Sequence, residues 1–151
     1  MKKRIVTLVI FSIAMAYVEA IVVVYLRRLV PLEIWNKITS YQELTFLIRD
    51  VGIMWSEQTR ELATIVMLTG VAFLFGKNRR QRWAGFLIAF GIWDIFYYIF
   101  LYVWLRWPPH LFSQDVLFLI PVPWVAPVAV PVFISCVMIF LGSWMLAKVK
   151  S

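Results

Sequence analysis

The stretch WAGFLIAFGIWDIFYYIFLYVWL, residues 83–105, decides the fold. Its 23 residues contain one charged group, Asp94, among aliphatic, aromatic and small side chains. A helix needs roughly 20 predominantly apolar residues to cross hydrocarbon, so this piece reads as a membrane span. Working outward, residues 5–26, 58–76 and 128–147 read as three more. Of the 151 residues 63% are hydrophobic and 15% charged, a balance foreign to soluble domains. The chain is expected to be one all-α integral membrane domain over residues 1–151, a four-transmembrane-helix bundle whose first partner is the lipid bilayer.

Charge gives the orientation. Of the fifteen Lys and Arg, nine lie in MKKR at the start, GKNRRQR at 76–82 and AKVKS at the end, pieces that contain none of the eight acids. Basic loops stay on the cytoplasmic side, and alternation across four spans assigns the same sides, so both termini are expected inside an inner, cytoplasmic membrane. The +7 formal charge is therefore read as topology rather than as a nucleic-acid surface. Ala14, Met15 and Ala16 resemble a signal-peptide cleavage site. The apolar run nevertheless resumes with AIVVVYL to Leu26, so the first span is read as retained.

Between the first two spans lies VPLEIWNKITSYQELTFLIRD, too polar to cross. Ile34, Trp35, Ile38, Tyr41, Leu44, Leu47 and Ile48 recur at helical spacing, which predicts an amphipathic helix over 31–50 at the outer face. The last apolar segment is the unusual one. Residues 116–147 would make a straight helix of about 48 Å, too long for the hydrocarbon, and prolines stand at 121, 123, 127 and 131. We expect a proline-broken approach to the fourth helix, with DVLFLI as an interfacial helical turn and PVPWVAP extended or kinked.

Asp94 has company in depth. At about 1.5 Å per residue, Glu19 lies roughly 22 Å above Arg4, Glu61 roughly 24 Å above Lys77, and Asp94 roughly 18 Å above Arg82. An acid at mid-membrane costs about 2.5–3.5 kcal/mol on the insertion scale. Three acids on three helices are thus expected to face one another or a water-filled cavity, protonated or paired with a cation. Arg60 is the nearest cation in sequence to Glu61. Glu57 and Glu61, at i and i+4, place like charges on one face, unfavourable unless something positive sits beside them. Tyr98 shares the stripe of Asp94, while Trp93, Tyr97, Tyr98 and Trp124 offer cation-π faces. The expected ligand-binding set is Glu19, Glu57, Arg60, Glu61, Asp94, Trp93, Tyr97, Tyr98 and Trp124.

Blander readings stand beside these. Asp94 serves equally as interhelical glue to a tyrosine or threonine, Glu57 as a helix N-terminal charge, and most aromatics as interfacial belts. His110 reads as a loop residue, and Cys136 as a small buried hydrophobe.

Cofactor signatures are missing. One cysteine and one histidine allow no iron-sulfur cluster, bis-histidine haem or zinc signature. EQTRE stands where a di-iron helix needs Glu-x-x-His, and HExxH, GxxxxGK[ST] and GxSxG do not occur. Four spans with an acid in the first resemble the small multidrug resistance transporters. That match rests on Glu19 alone, and the long outer loop, additional acids and proline-broken fourth segment depart from it, so the chain is not assigned there. The function expected is binding or conducting a proton, cation or amine in an outward-facing carboxylate and aromatic pocket. The alternatives are an accessory or assembly subunit, as a homo-oligomer or in a larger membrane complex, and a membrane enzyme acting on a lipid-borne substrate.

Overall fold

The computed structural model describes residues 2–29, 54–120 and 123–148. They form helix α1 (Lys2–Leu29), helix α2 (Met54–Phe75), helix α3 (Arg79–Leu105), strands β1 (Gln114–Phe118) and β2 (Trp124–Pro127), and helix α4 (Ala129–Ala147). Helices α1, α3 and α4 are long and apolar enough to cross a membrane. Helix α2 has the length, but Glu57, Gln58, Arg60 and Glu61 occupy its first two turns and shorten its apolar run. The amphipathic segment expected over 31–50 lies outside the described residues.

Helix α3 is the centre, packed against α1, α2 and α4. Local sequence sets its ends. Asn78 caps the N-terminus by accepting a hydrogen bond from the Gln81 amide at 2.9 Å, and the Gln81 side chain accepts in return from the Lys77 amide at 2.9 Å, a variant of the reciprocal capping box. Beyond Leu105, Arg106 takes a left-handed φ of 53° and donates its amide to the Tyr102 carbonyl, and Pro108 and Pro109 cannot continue the helix.

Two glycines bring α3 and α4 together. A Cβ on Gly91 would stand 2.7 Å from the Ser135 carbonyl oxygen, and one on Gly142 would stand 2.8 Å from the Ala84 carbonyl oxygen. Any side chain at either position would push the backbones apart. The close approach matters chemically because it carries Ser135 to the Asp94 side of α3.

Two cores stack along the bundle. One joins Leu8, Leu68, Phe75, Ala84, Ile88 and Leu146, which places the start of α1, the end of α2, the start of α3 and the end of α4 at one end. The basic residues at 2–4, 77–82 and 148 therefore gather there. The other joins Ala20, Val24, Tyr98, Leu101 and Val128 at the opposite end.

The all-α expectation is overturned between α3 and α4. DVLFLI is no helical turn: β1 pairs antiparallel with β2, Gln114 opposite Pro127, Val116 opposite Val125 and Phe118 opposite Trp124, with a bulge between Val116 and Phe118. The physical reason is in the composition. Pro123 and Pro127 lack the N–H a helix needs, whereas Val, Phe and Trp suit a pleated ribbon. Pro127 sits at the end of the ladder, where a missing donor is tolerated. The amides of Val128 and Ala129 donate to the carbonyls of Ser113 and Leu111, closing the base of the hairpin. Pro131 then falls in the first turn of α4, where its missing N–H breaks no helical bond.

The hairpin turns back along α3. Asp115 meets Tyr98, and three residues on Phe118 stacks on Phe90 with ring centroids 6.2 Å apart. Phe90 is fifteen residues before the end of α3, about 22 Å along its axis. Non-helical backbone thus reaches the middle of the bundle, which is tolerated where protein satisfies its polar groups.

Candidate functional site

The polar side chains around this hairpin arise from every described helix. From α1, Glu19 is buried, one carboxylate oxygen accepting from the Arg60 guanidinium and the other from the Thr64 hydroxyl. Arg60 also donates from Nη2 to Glu57 at 2.7 Å and from Nε to the same oxygen at 3.1 Å. One guanidinium therefore joins α1 to α2 and supplies the positive charge that Glu57 and Glu61 require on their shared face.

Glu61 reaches the other way, to the tip of the hairpin. Its Oε2 accepts from the Leu119 amide at 2.8 Å, while Gln58, one turn earlier, donates to the Leu119 carbonyl at 3.2 Å. Both backbone groups of a non-helical residue at depth are thereby satisfied from α2.

On the α4 side, buried Asp94 accepts from the Ser135 hydroxyl at 2.8 Å. Its partner is thus a serine on α4, not a tyrosine or threonine. Tyr98, one turn beyond Asp94 on α3, donates to Asp115 at 3.0 Å. Burial pushes the Asp115 carboxyl above its usual range, against the pull of the Tyr98 hydroxyl and of Arg27. Arg27 lies over the Trp107 ring at 4.2 Å, and Trp107 in turn packs on Tyr98.

Tyr97 stands between the two groups, its ring 5.2 Å from that of Tyr98 and stacked on Trp93 at 6.3 Å. It lies within electrostatic reach of Asp115, Arg27, Arg60 and Asp94. Two buried atoms have no hydrogen-bond partner among the described residues, the Trp93 indole Nε1 and Glu61 Oε1. One is a donor and the other an acceptor, on the two helices that flank the hairpin tip.

The structure thus brings Glu19, Glu57 and Arg60 into one network. It sets Glu61 beside them at the hairpin tip and places Asp94 in a separate contact with α4. Trp124 stands apart, 67% exposed on β2. His110 is exposed and hydrogen-bonds to Ser113. Cys136, expected to be buried, is exposed on α4, because the packed face of that helix is the one with Ser135, Gly142 and Leu146. Sequence reasoning missed Asp115, Thr64, Ser135 and Gln58. Asp115 opens the stretch DVLFLI, which by sequence reads as an interfacial helical turn, and the run of apolar residues after it, ended by proline, is the available strand signal.

Chemically the site is rich in oxygen: carboxylates, tyrosine and serine hydroxyls, and backbone carbonyls. Among the described residues no group of three or more His, Cys, Asp or Glu side chains is placed to hold a metal ion. Comparison with family models, with curated proteins and with solved structures finds no match.

Proposed function

We propose that this chain is a four-span protein of the inner membrane, with α2 as the fourth span and its basic end in the cytoplasm. In this reading the half opposite the basic end binds a proton, a small cation or an amine, with Glu19, Glu57, Glu61 and Asp94 as its acidic groups. Arg60 sets their charge, and Trp93, Tyr97 and Tyr98 line the site.

The observation that supports this reading is a charge imbalance in the half around the hairpin. Among the described residues Glu19, Glu57, Glu61, Asp94 and Asp115 are five carboxylates, and the described guanidinium groups within contact or electrostatic reach of them are two, Arg60 and Arg27. Arg28 and Arg106 are exposed. Five against two leaves three negative charges if all ionise, and a low-dielectric site carries such an excess only with protons or cations bound. The buried Trp93 indole N–H, without a hydrogen-bond partner among the described residues, adds a donor for a ligand that also carries an acceptor, as a protonated amine bearing a hydroxyl does.

The test is thermal unfolding of the full chain in detergent, read from about pH 5 to pH 8 and against sodium, calcium and a series of alkylammonium ions. At least one of these is expected to stabilise the protein, with the effect reduced by Glu61→Gln or Asp94→Asn and kept by Arg28→Gln. A stability indifferent to all of them would sink the reading.

A further inference from the structure

The opposite end of the bundle carries a second, unrelated feature. Residues 2–4, 77–82 and 148 contribute eight basic side chains from three separate segments, brought together by the core of Leu8, Phe75, Ala84 and Leu146. Every described acid belongs to the half around the hairpin, the nearest along α3 being Asp94, about 18 Å from Arg82.

Two of its guanidinium groups are held in place. Arg4 donates to the Leu74 carbonyl at 2.8 Å and lies over the Phe75 ring at 5.5 Å. Arg82 donates to the Gly76 carbonyl at 3.2 Å and lies over the Phe73 ring at 4.7 Å. Each of these protein hydrogen bonds uses one of the five N–H donors of its guanidinium. Arg79 and Arg80 are exposed beside them. Immediately toward the bundle, the surface becomes apolar and open, with Phe73 56%, Leu74 83% and Trp83 63% exposed. Charge and hydrocarbon surface are adjacent in the order in which a phospholipid presents phosphate and acyl chain.

We propose that this end binds the headgroup of an anionic phospholipid, its phosphate held by Arg4, Arg79, Arg80 and Arg82 and its acyl chains lying along Phe73, Leu74 and Trp83. Free inorganic phosphate would satisfy the arginines but leave the exposed rings unused, and a zwitterionic lipid would set its own cation against eight others. Each Lys or Arg near an anionic membrane surface contributes about 1 kcal/mol, so removing two is expected to weaken binding roughly 30-fold.

The experiment titrates the full chain in detergent with short-chain phosphatidylglycerol, short-chain phosphatidylcholine and inorganic phosphate, reading thermal stabilisation and, by native mass spectrometry, bound lipid. Phosphatidylglycerol is expected to bind in preference to phosphatidylcholine. Arg79→Gln with Arg80→Gln is expected to lose that preference by about the stated factor, whereas Arg79→Lys with Arg80→Lys retains most of it. Both residues are exposed, so the variants keep the fold, which circular dichroism checks. Equal binding of the two lipids, an unaltered preference in the glutamine variant, or equal protection by inorganic phosphate would each overturn the proposal. None of these outcomes bears on the carboxylate site at the other end.

Discussion

Arg60→Gln is the most informative single change, because one guanidinium serves two carboxylates on two helices. Glu19 and Glu57 have side chains only 9% and 13% exposed, and Arg60 itself is 30% exposed. Removing one partner of a buried ion pair costs about 3–5 kcal/mol, and the partial exposure of Arg60 argues for the lower end, so we expect a loss of about 3 kcal/mol near neutral pH. The two orphaned carboxyls have a way out, which is to take up protons. Each proton bound on folding makes stability rise by about 1.4 kcal/mol per unit of pH decrease. The deficit of the variant should therefore shrink progressively as the solution is acidified. The assay is reversible unfolding in detergent, Arg60→Gln against the parent chain at several pH values, with Glu19→Gln/Arg60→Gln as the companion. That double variant removes one stranded charge and is expected to recover about half of the loss. A single variant as stable as the parent at every pH, or a double variant no better than the single one, would refute the account.

Three further expectations follow from the packing. Ser135→Ala removes the hydroxyl bound to Asp94; a loss near 0.6 kcal/mol, the membrane average for such bonds, would mark Asp94 as protonated, and one of about 2 kcal/mol as ionised and left buried without its donor, both read by denaturant unfolding. Gly91→Leu and Gly142→Leu each put a side chain into backbone 2.7–2.8 Å away, so each is expected to separate α3 from α4 and lower the melting temperature by several degrees more than Gly70→Leu, where nothing lies within 4 Å. Cys136, exposed about 10 Å into α4, is expected to resist a charged thiol reagent in nanodiscs and to react fully after unfolding, because hydrocarbon excludes the charged reagent; rapid labelling in the bilayer would show water at that face.

What the sequence discloses about this molecule depends on how local each cause is. Helices α1, α3 and α4 follow from runs of apolar residues, a property of single segments, and the ends of α3 follow from Asn78 and the Pro108, Pro109 pair. Glu19, Glu61 and Asp94 announce themselves because carboxylates are scarce in such runs. Their partners do not, since each depends on rotation about a helix axis that only packing fixes. Arg60 lies about 100° around α2 from Glu61 and turns to Glu57 and α1 instead, and Ser135 becomes the partner of Asp94 only because Gly91 lets α4 approach. Trp124 and Trp93 look alike in composition, yet the alternation of a strand leaves the one exposed while a helix face buries the indole nitrogen of the other. The hairpin is hidden for a further reason: in a short apolar run, periodicity alone does not tell a buried strand from a turn of helix. Proline removes the option of a helix after Asp115, the chain turns back, and the unsatisfied amide and carbonyl of Leu119 arrive at the depth of α2's first turns. Glu61 and Gln58 are then no anomaly in an apolar helix. They supply the acceptor and the donor that a non-helical segment at that depth requires, so the prolines before α4 and the polar residues of α2 have one physical cause between them.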